Sequence, residues 1–144
     1  MTLDAGAPVT GHEVPVALRR WFVVHFVADF LFAIPLFFAP EAFLGLLGWS
    51  TVDPFAARGV AAALFGIGAQ SFLDRNAGVA SFRTMLSLKV IWATFAAAGF
   101  LWGSLTRGFP MAWAVFALFA AFDGLWIYWL RRLGRPLAPS AGAG

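Results

Sequence analysis

Apolar residues in this chain fall into four long runs, without the alternation of a surface strand or the one-sided stripe of a water-facing helix. Trp21 to Phe38 is interrupted only by His25, Asp29 and Pro35, and Phe55 to Leu73, Leu86 to Trp102 and Pro110 to Leu130 are similarly continuous. A helix needs about 20 consecutive apolar residues to cross the hydrocarbon core of a bilayer. A helix that is apolar all round belongs in lipid or in a buried core. The pattern therefore predicts an all-α polytopic membrane protein: a four-helix transmembrane bundle with spans at about 21–38, 55–73, 86–102 and 110–130, the third helix itself starting near Ala80.

The breaks between the runs carry their own signals. Residues 1–18 mix Pro8, Gly11 and Pro15 with Asp4, His12 and Glu13 and read as a flexible tail. The first run contains a carboxylate and is followed by no small-x-small cleavage site, which argues for a span and against a signal peptide. Pro40 and the Gly45/Gly48 pair bracket EAFLGLLGW, start and stop signals for a short helix over about 40–48. With Trp49 at headgroup level, that helix is expected to lie in the membrane interface between spans 1 and 2. Asp53 before Pro54 reads as the cap of the second span. Residues 74–84 around Gly78 form a turn, and Gly103 to Gly108 a tight connection. Gly134 and Pro136 end the last span ahead of a disordered tail, 134–144.

Composition sharpens this. The 144 residues are 61% hydrophobic and hold ten Lys and Arg with seven Asp and Glu, half of the roughly 25% charged content of a soluble domain. No cysteine is present, which excludes disulfide exchange, iron–sulfur clusters and thiolate metal sites. The net charge of +3 is not a nucleic-acid footprint, because the cations flank apolar runs and do not cluster on one solvated face. They read as topology signals. Arg19, Arg20, Arg75, Arg83, Arg131, Arg132 and Arg135 fall on one side, and only Arg58 and Arg107 on the other. By the positive-inside rule both termini are expected in the cytoplasm, the membrane being the bacterial inner membrane.

Small residues recur at helical spacing: Gly59 with Ala63 and Ala62 with Gly66 on the second span, Ala93, Ala96 and Ala97 on the third, and Ala117 with Ala121 and Ala120 with Gly124 on the fourth. Such stripes let backbones approach in lipid. They serve either the packing of the four spans or an interface with a second copy or a larger membrane complex. Most Trp and Tyr residues fall at the ends of spans, as an aromatic belt requires. Trp92 alone lies inside one, where its N–H needs a partner, and it is the aromatic binding candidate.

Chemistry is confined to His25, Asp29, Arg58, Gln70, Lys89 and Asp123. An Asp or Lys in mid-span costs about 2.5–3.5 kcal/mol on insertion scales, so these groups must compensate one another. At about 1.5 Å per residue from the helix ends, all but Arg58 fall in the cytoplasmic half. His25 and Asp29, four apart, share a helix face. The economical scheme pairs Asp29 with Arg58 or His25 and Asp123 with Lys89. Those pairs either fix helix register or form a proton path or polar head-group site. His25 is also the one residue in a span able to ligate a haem or chlorophyll axially, but no cofactor is expected. No metal-binding His pair and no nucleophile motif such as Gly-x-Ser-x-Gly is present, so no catalytic residue is assigned.

The run DPFAARGVAAALFGIGAQSFLDR, with Arg58, Gly59, Gly66, Gly68 and Arg75, resembles the second span of a group of small bacterial four-span membrane proteins of uncharacterised function. The resemblance implies the fold and no activity. On the residues themselves, the expected role is that of a non-catalytic accessory subunit or lipophilic-ligand-binding protein, its partners being membrane lipids and a homo-oligomer or larger complex. A proton-coupled transporter or channel component using the intramembrane Asp, Arg, Lys and His residues is the alternative.

Overall fold

The computed structural model describes residues 13–107 and 110–134. Within them the protein is all-helical: α1 (Val16–Phe38), the short α2 (Pro40–Leu46), α3 (Pro54–Leu73), a 3₁₀ turn (Asp74–Asn76), α4 (Val79–Arg107) and α5 (Pro110–Gly134). The four long helices are each long and apolar enough to cross a membrane. Their outward faces are apolar as well, with Val24, Leu31, Ile34, Val60, Ile91 and Phe95 exposed, a surface that water would not tolerate and lipid does.

Local chemistry sets the helix ends. The Asp53 carboxylate accepts from the N–H groups of Phe55 (2.9 Å) and Ala56 (3.2 Å), and Pro54 occupies the first helical position, where no N–H is needed. Gly48, at φ +89°, makes the left-handed turn that ends the α2 segment. The Pro15 carbonyl accepts from Leu18 and Arg19 N–H, so α1 begins at Val16. Residues 16–18 thus belong to the bundle and not to the tail that the sequence suggested, and Leu18 is fully buried. Residues 1–12 and 135–144, the rest of the two expected tails, lie outside the described residues. At the other junction α4 runs on through Arg107, so most of the expected 103–108 connection is helix.

The helices associate as two pairs, α1 with α3 and α4 with α5. The pairs meet at one end, where Leu18 and Phe22 of α1 pack with Phe82, Met85 and Leu86 of α4 and Trp126, Trp129 and Leu133 of α5. Arg19 reinforces this end by donating to the carbonyls of Arg75 (2.7 Å) and Ala77 (3.2 Å) in the α3–α4 turn. Toward the other end α1, α2 and α3 form a separate cluster around Ala33, Leu36, Ala57, Ala61 and Leu64. The space between this cluster and the α4–α5 pair is where the cavity described below lies.

The small-residue stripes divide in two. Ala93 and Ala97 of α4 are buried, as packing residues should be. On α3 the buried face is Ala57, Ala61, Leu64, Gly68 and Ser71, whereas Gly59, Ala62 and Gly66 face outward. On α5 Ala117, Ala120, Ala121 and Gly124 are likewise exposed. A Cβ added at Gly59, Gly66 or Gly124 would meet open space. These outward stripes do not pack the chain's own helices.

Candidate functional site

Of the pairs expected among the polar residues of the spans, His25 with Asp29 is present and Asp123 with Lys89 is not. Lys89, only 1% exposed, places its Nζ 2.9 Å from Nδ1 of His25. Asp29, 6% exposed, brings Oδ2 to 2.9 Å from the same Nδ1. The carboxylate and the ammonium therefore lie within about 6 Å of each other, the range over which opposite charges stabilise one another. One ring nitrogen cannot both accept from lysine and donate to aspartate. In the tautomer in which Nδ1 accepts from Lys89, Asp29 Oδ2 has no hydrogen-bond donor among the described residues.

Aromatic rings complete the lysine's surroundings. Nζ stands 5.2 Å from the centroid of Phe22 and 5.1 Å from that of Trp126, within cation–π range, where a desolvated contact gains most. His25 is held edge-on against Phe122 and Trp126, each at 5.1 Å. Phe22 is three residues from His25 on the same face of α1 and Trp126 comes from α5, so three of the long helices converge on Lys89. No feature of the chain's pattern marks the Phe22–Trp126 cage, since both rings read as core or belt residues.

Gly68 of α3 makes the position of Asp29 available. A Cβ at residue 68 would lie 2.9 Å from Asp29 Cβ and 3.1 Å from its Oδ2. The α1 and α3 backbones approach closely at this point because no side chain separates them.

Three of the six polar candidates stand elsewhere: of the two alternatives for Asp29 the contact is with His25 and not Arg58, and the expected pair of Asp123 with Lys89 is absent. Arg58 is exposed and donates through Nε to the Phe37 carbonyl at 3.1 Å, so it is not the partner of Asp29. This closes the exposed end of α1, where carbonyls lack helical partners. Asp123 does not reach Lys89: its Oδ2 accepts from Thr94 Oγ1 at 3.0 Å on the outward side of the α4–α5 pair, and its Oδ1 has no hydrogen-bond partner among the described residues. Helix rotation decides this, because Lys89 points inward to α1 while Thr94, five residues on, is exposed. Gln70 is exposed. His25 keeps only Nε2 for axial ligation of a cofactor, Nδ1 being engaged by Lys89.

His25, Asp29 and Lys89 line one end of a cavity of about 580 Å³, within the range of small-molecule sites. Away from these three its walls are apolar, with Leu36 and Leu44 at the far end and Trp92, Ala96, Phe119 and Phe122 along the side. Trp92 is thus brought to the same site as the polar cluster. From His25 to Leu36 is eleven residues, roughly 16 Å of helix at about 1.5 Å each. Phe32 and Leu118 line the cavity yet remain 40% exposed, so it opens to the exterior between α1 and α5. A smaller pocket of about 180 Å³ shares Trp49, Gly99 and Phe100 and extends toward Gly103 and Arg107.

Comparison with protein-family models, curated protein sequences and solved structures finds no match to this chain.

Proposed function

We propose that this protein is a non-catalytic membrane protein that binds a lipophilic small molecule between its two helix pairs. The observation that carries the reading is the cavity itself: apolar for most of its length, polar at one end only, and open between α1 and α5 on a surface built for lipid. An amphiphile entering from the bilayer keeps its apolar part in apolar surroundings throughout, and the buried groups at the closed end fix its orientation. The arginine distribution supports a bacterial inner-membrane location with both termini cytoplasmic. The exposed apolar Leu46 supports α2 lying in the opposite interface.

The transporter reading draws on the same three residues, since Lys89 Nζ and Asp29 Oδ2 each stand 2.9 Å from His25 Nδ1. Arg58, Gln70 and Asp123 stand apart from them, which favours a binding terminus over a path across the bundle.

Retention of radiolabelled dodecan-1-ol by the protein in nanodiscs, after subtraction of empty nanodiscs, tests the binding reading. Saturation near one molecule per chain is expected. Uptake that rises without limit, as for partition into lipid, contradicts it.

A further inference from the structure

The polar end of the cavity specifies more than a lipophile. With His25 Nδ1 accepting from Lys89, it contains one buried carboxylate oxygen with no hydrogen-bond donor among the described residues, Asp29 Oδ2, and one buried lysine, Lys89, whose contact with Nδ1 uses one of its three donors. The two side chains carry opposite formal charges beside the His25 imidazole. An anionic head would gain from Lys89 and be repelled by Asp29, and a cationic head would meet the reverse. A group that only accepts hydrogen bonds leaves Asp29 Oδ2 without a donor, and a hydrocarbon leaves both residues unserved. A hydroxyl donates one hydrogen and accepts others. It is the smallest uncharged group that serves Asp29 and Lys89 together.

Resting on the lipophile-binding reading, we infer that the ligand is an uncharged lipophile with a hydroxyl head, a long-chain or isoprenoid alcohol or a phenol, its oxygen seated between Asp29 and Lys89. The hydroxyl donates to Asp29 Oδ2 and accepts from Lys89 Nζ, and the tail runs past Trp92 and Phe119 toward Leu36 and Leu44. The length agrees. A zigzag of about 1.5 Å single bonds advances about 1.25 Å per carbon, so a cavity of roughly 16 Å takes a chain of about a dozen carbons.

Four labelled probes of one chain length decide the head group: dodecan-1-ol, dodecyl methyl ether, dodecanesulfonate and dodecane, each measured as retention by protein-loaded over empty nanodiscs. Donation to a buried carboxylate is a charge-assisted hydrogen bond. The alcohol is therefore expected to be retained about tenfold more tightly than the ether, with the sulfonate and the alkane no better than the ether. In Asp29→Asn, where the acceptor is neutral, the preference of alcohol over ether shrinks. Equal retention of alcohol and ether by the unaltered protein, or tighter retention of the sulfonate, overturns the hydroxyl assignment and leaves the cavity reading standing. No saturable retention of any probe overturns both.

Discussion

Asp29 and Gly68 occupy one space: a methyl group on residue 68 would come within 2.9 Å of the Asp29 Cβ and 3.1 Å of its carboxylate. The helix that carries two of the three residues of the buried polar cluster is thus seated by the absence of a side chain on its neighbour. Because α1 and α3 form one of the two tight pairs, this contact joins the packing of the fold to the placement of the site.

Gly68→Ala should therefore lower stability by about 1–3 kcal/mol, the usual cost of overpacking. Gly66→Ala, where a Cβ meets open space, should change it by no more than about 0.5 kcal/mol, apart from the gain in helix propensity. Thermal unfolding followed by circular dichroism in one detergent compares the two. Equal effects would mean that α1 and α3 do not approach at Gly68.

Lys89→Met leaves the Asp29 carboxylate buried without its counter-charge, and breaking a buried pair in this way costs about 3–5 kcal/mol. Neutralising the partner as well, in Lys89→Met with Asp29→Asn, should recover most of the loss. Asp123→Asn combined with Lys89→Met should be additive within about 0.5 kcal/mol, because Asp123 bonds Thr94 on the outward side. Coupling of Lys89 to Asp123 and not to Asp29 would reverse this assignment.

Much of the architecture was legible from the chain, and the limit has a physical cause. The apolar runs, the Asp53–Pro54 cap and the Pro40 start appear as helices and ends near where their chemistry puts them. The i, i+4 relation of His25 and Asp29 survives as a 2.9 Å contact. What hydropathy does not supply is rotation about each helix axis. A helix apolar on every side presents no face that water rejects, so neither the partner of Lys89 nor the inward side of α3 follows from sequence. For the same reason the small-residue stripes do not tell which of their two roles applies: Gly59 and Gly66 fit a close contact as well as Ala61 and Gly68 do, and only the second set makes one within the chain. A signal for Gly68 existed in its spacing, seven from Ala61 and eleven from Ala57.

Orientation is open to direct measurement because the chain has no cysteine of its own. Single cysteines at Ser50 and Asn76, both exposed in connecting segments, fall on opposite sides of the bilayer in the proposed topology. A membrane-impermeant maleimide added to spheroplasts should label Ser50→Cys and spare Asn76→Cys until the membrane is opened. The reverse pattern would place both termini outside.

The central claim is that the space between the two helix pairs is a binding site, and filling it tests that claim most directly. Gly99 lines the cavity, and a Cβ there meets nothing within 4 Å, so Gly99→Phe places a ring in that space without forcing the backbone. Gly66→Phe puts the same ring on the outward face of α3 and serves as the control. Retention of labelled dodecan-1-ol in nanodiscs should fall at least tenfold for Gly99→Phe and stay unchanged for Gly66→Phe, with both proteins equally helical. Retention undiminished in Gly99→Phe would contradict the account.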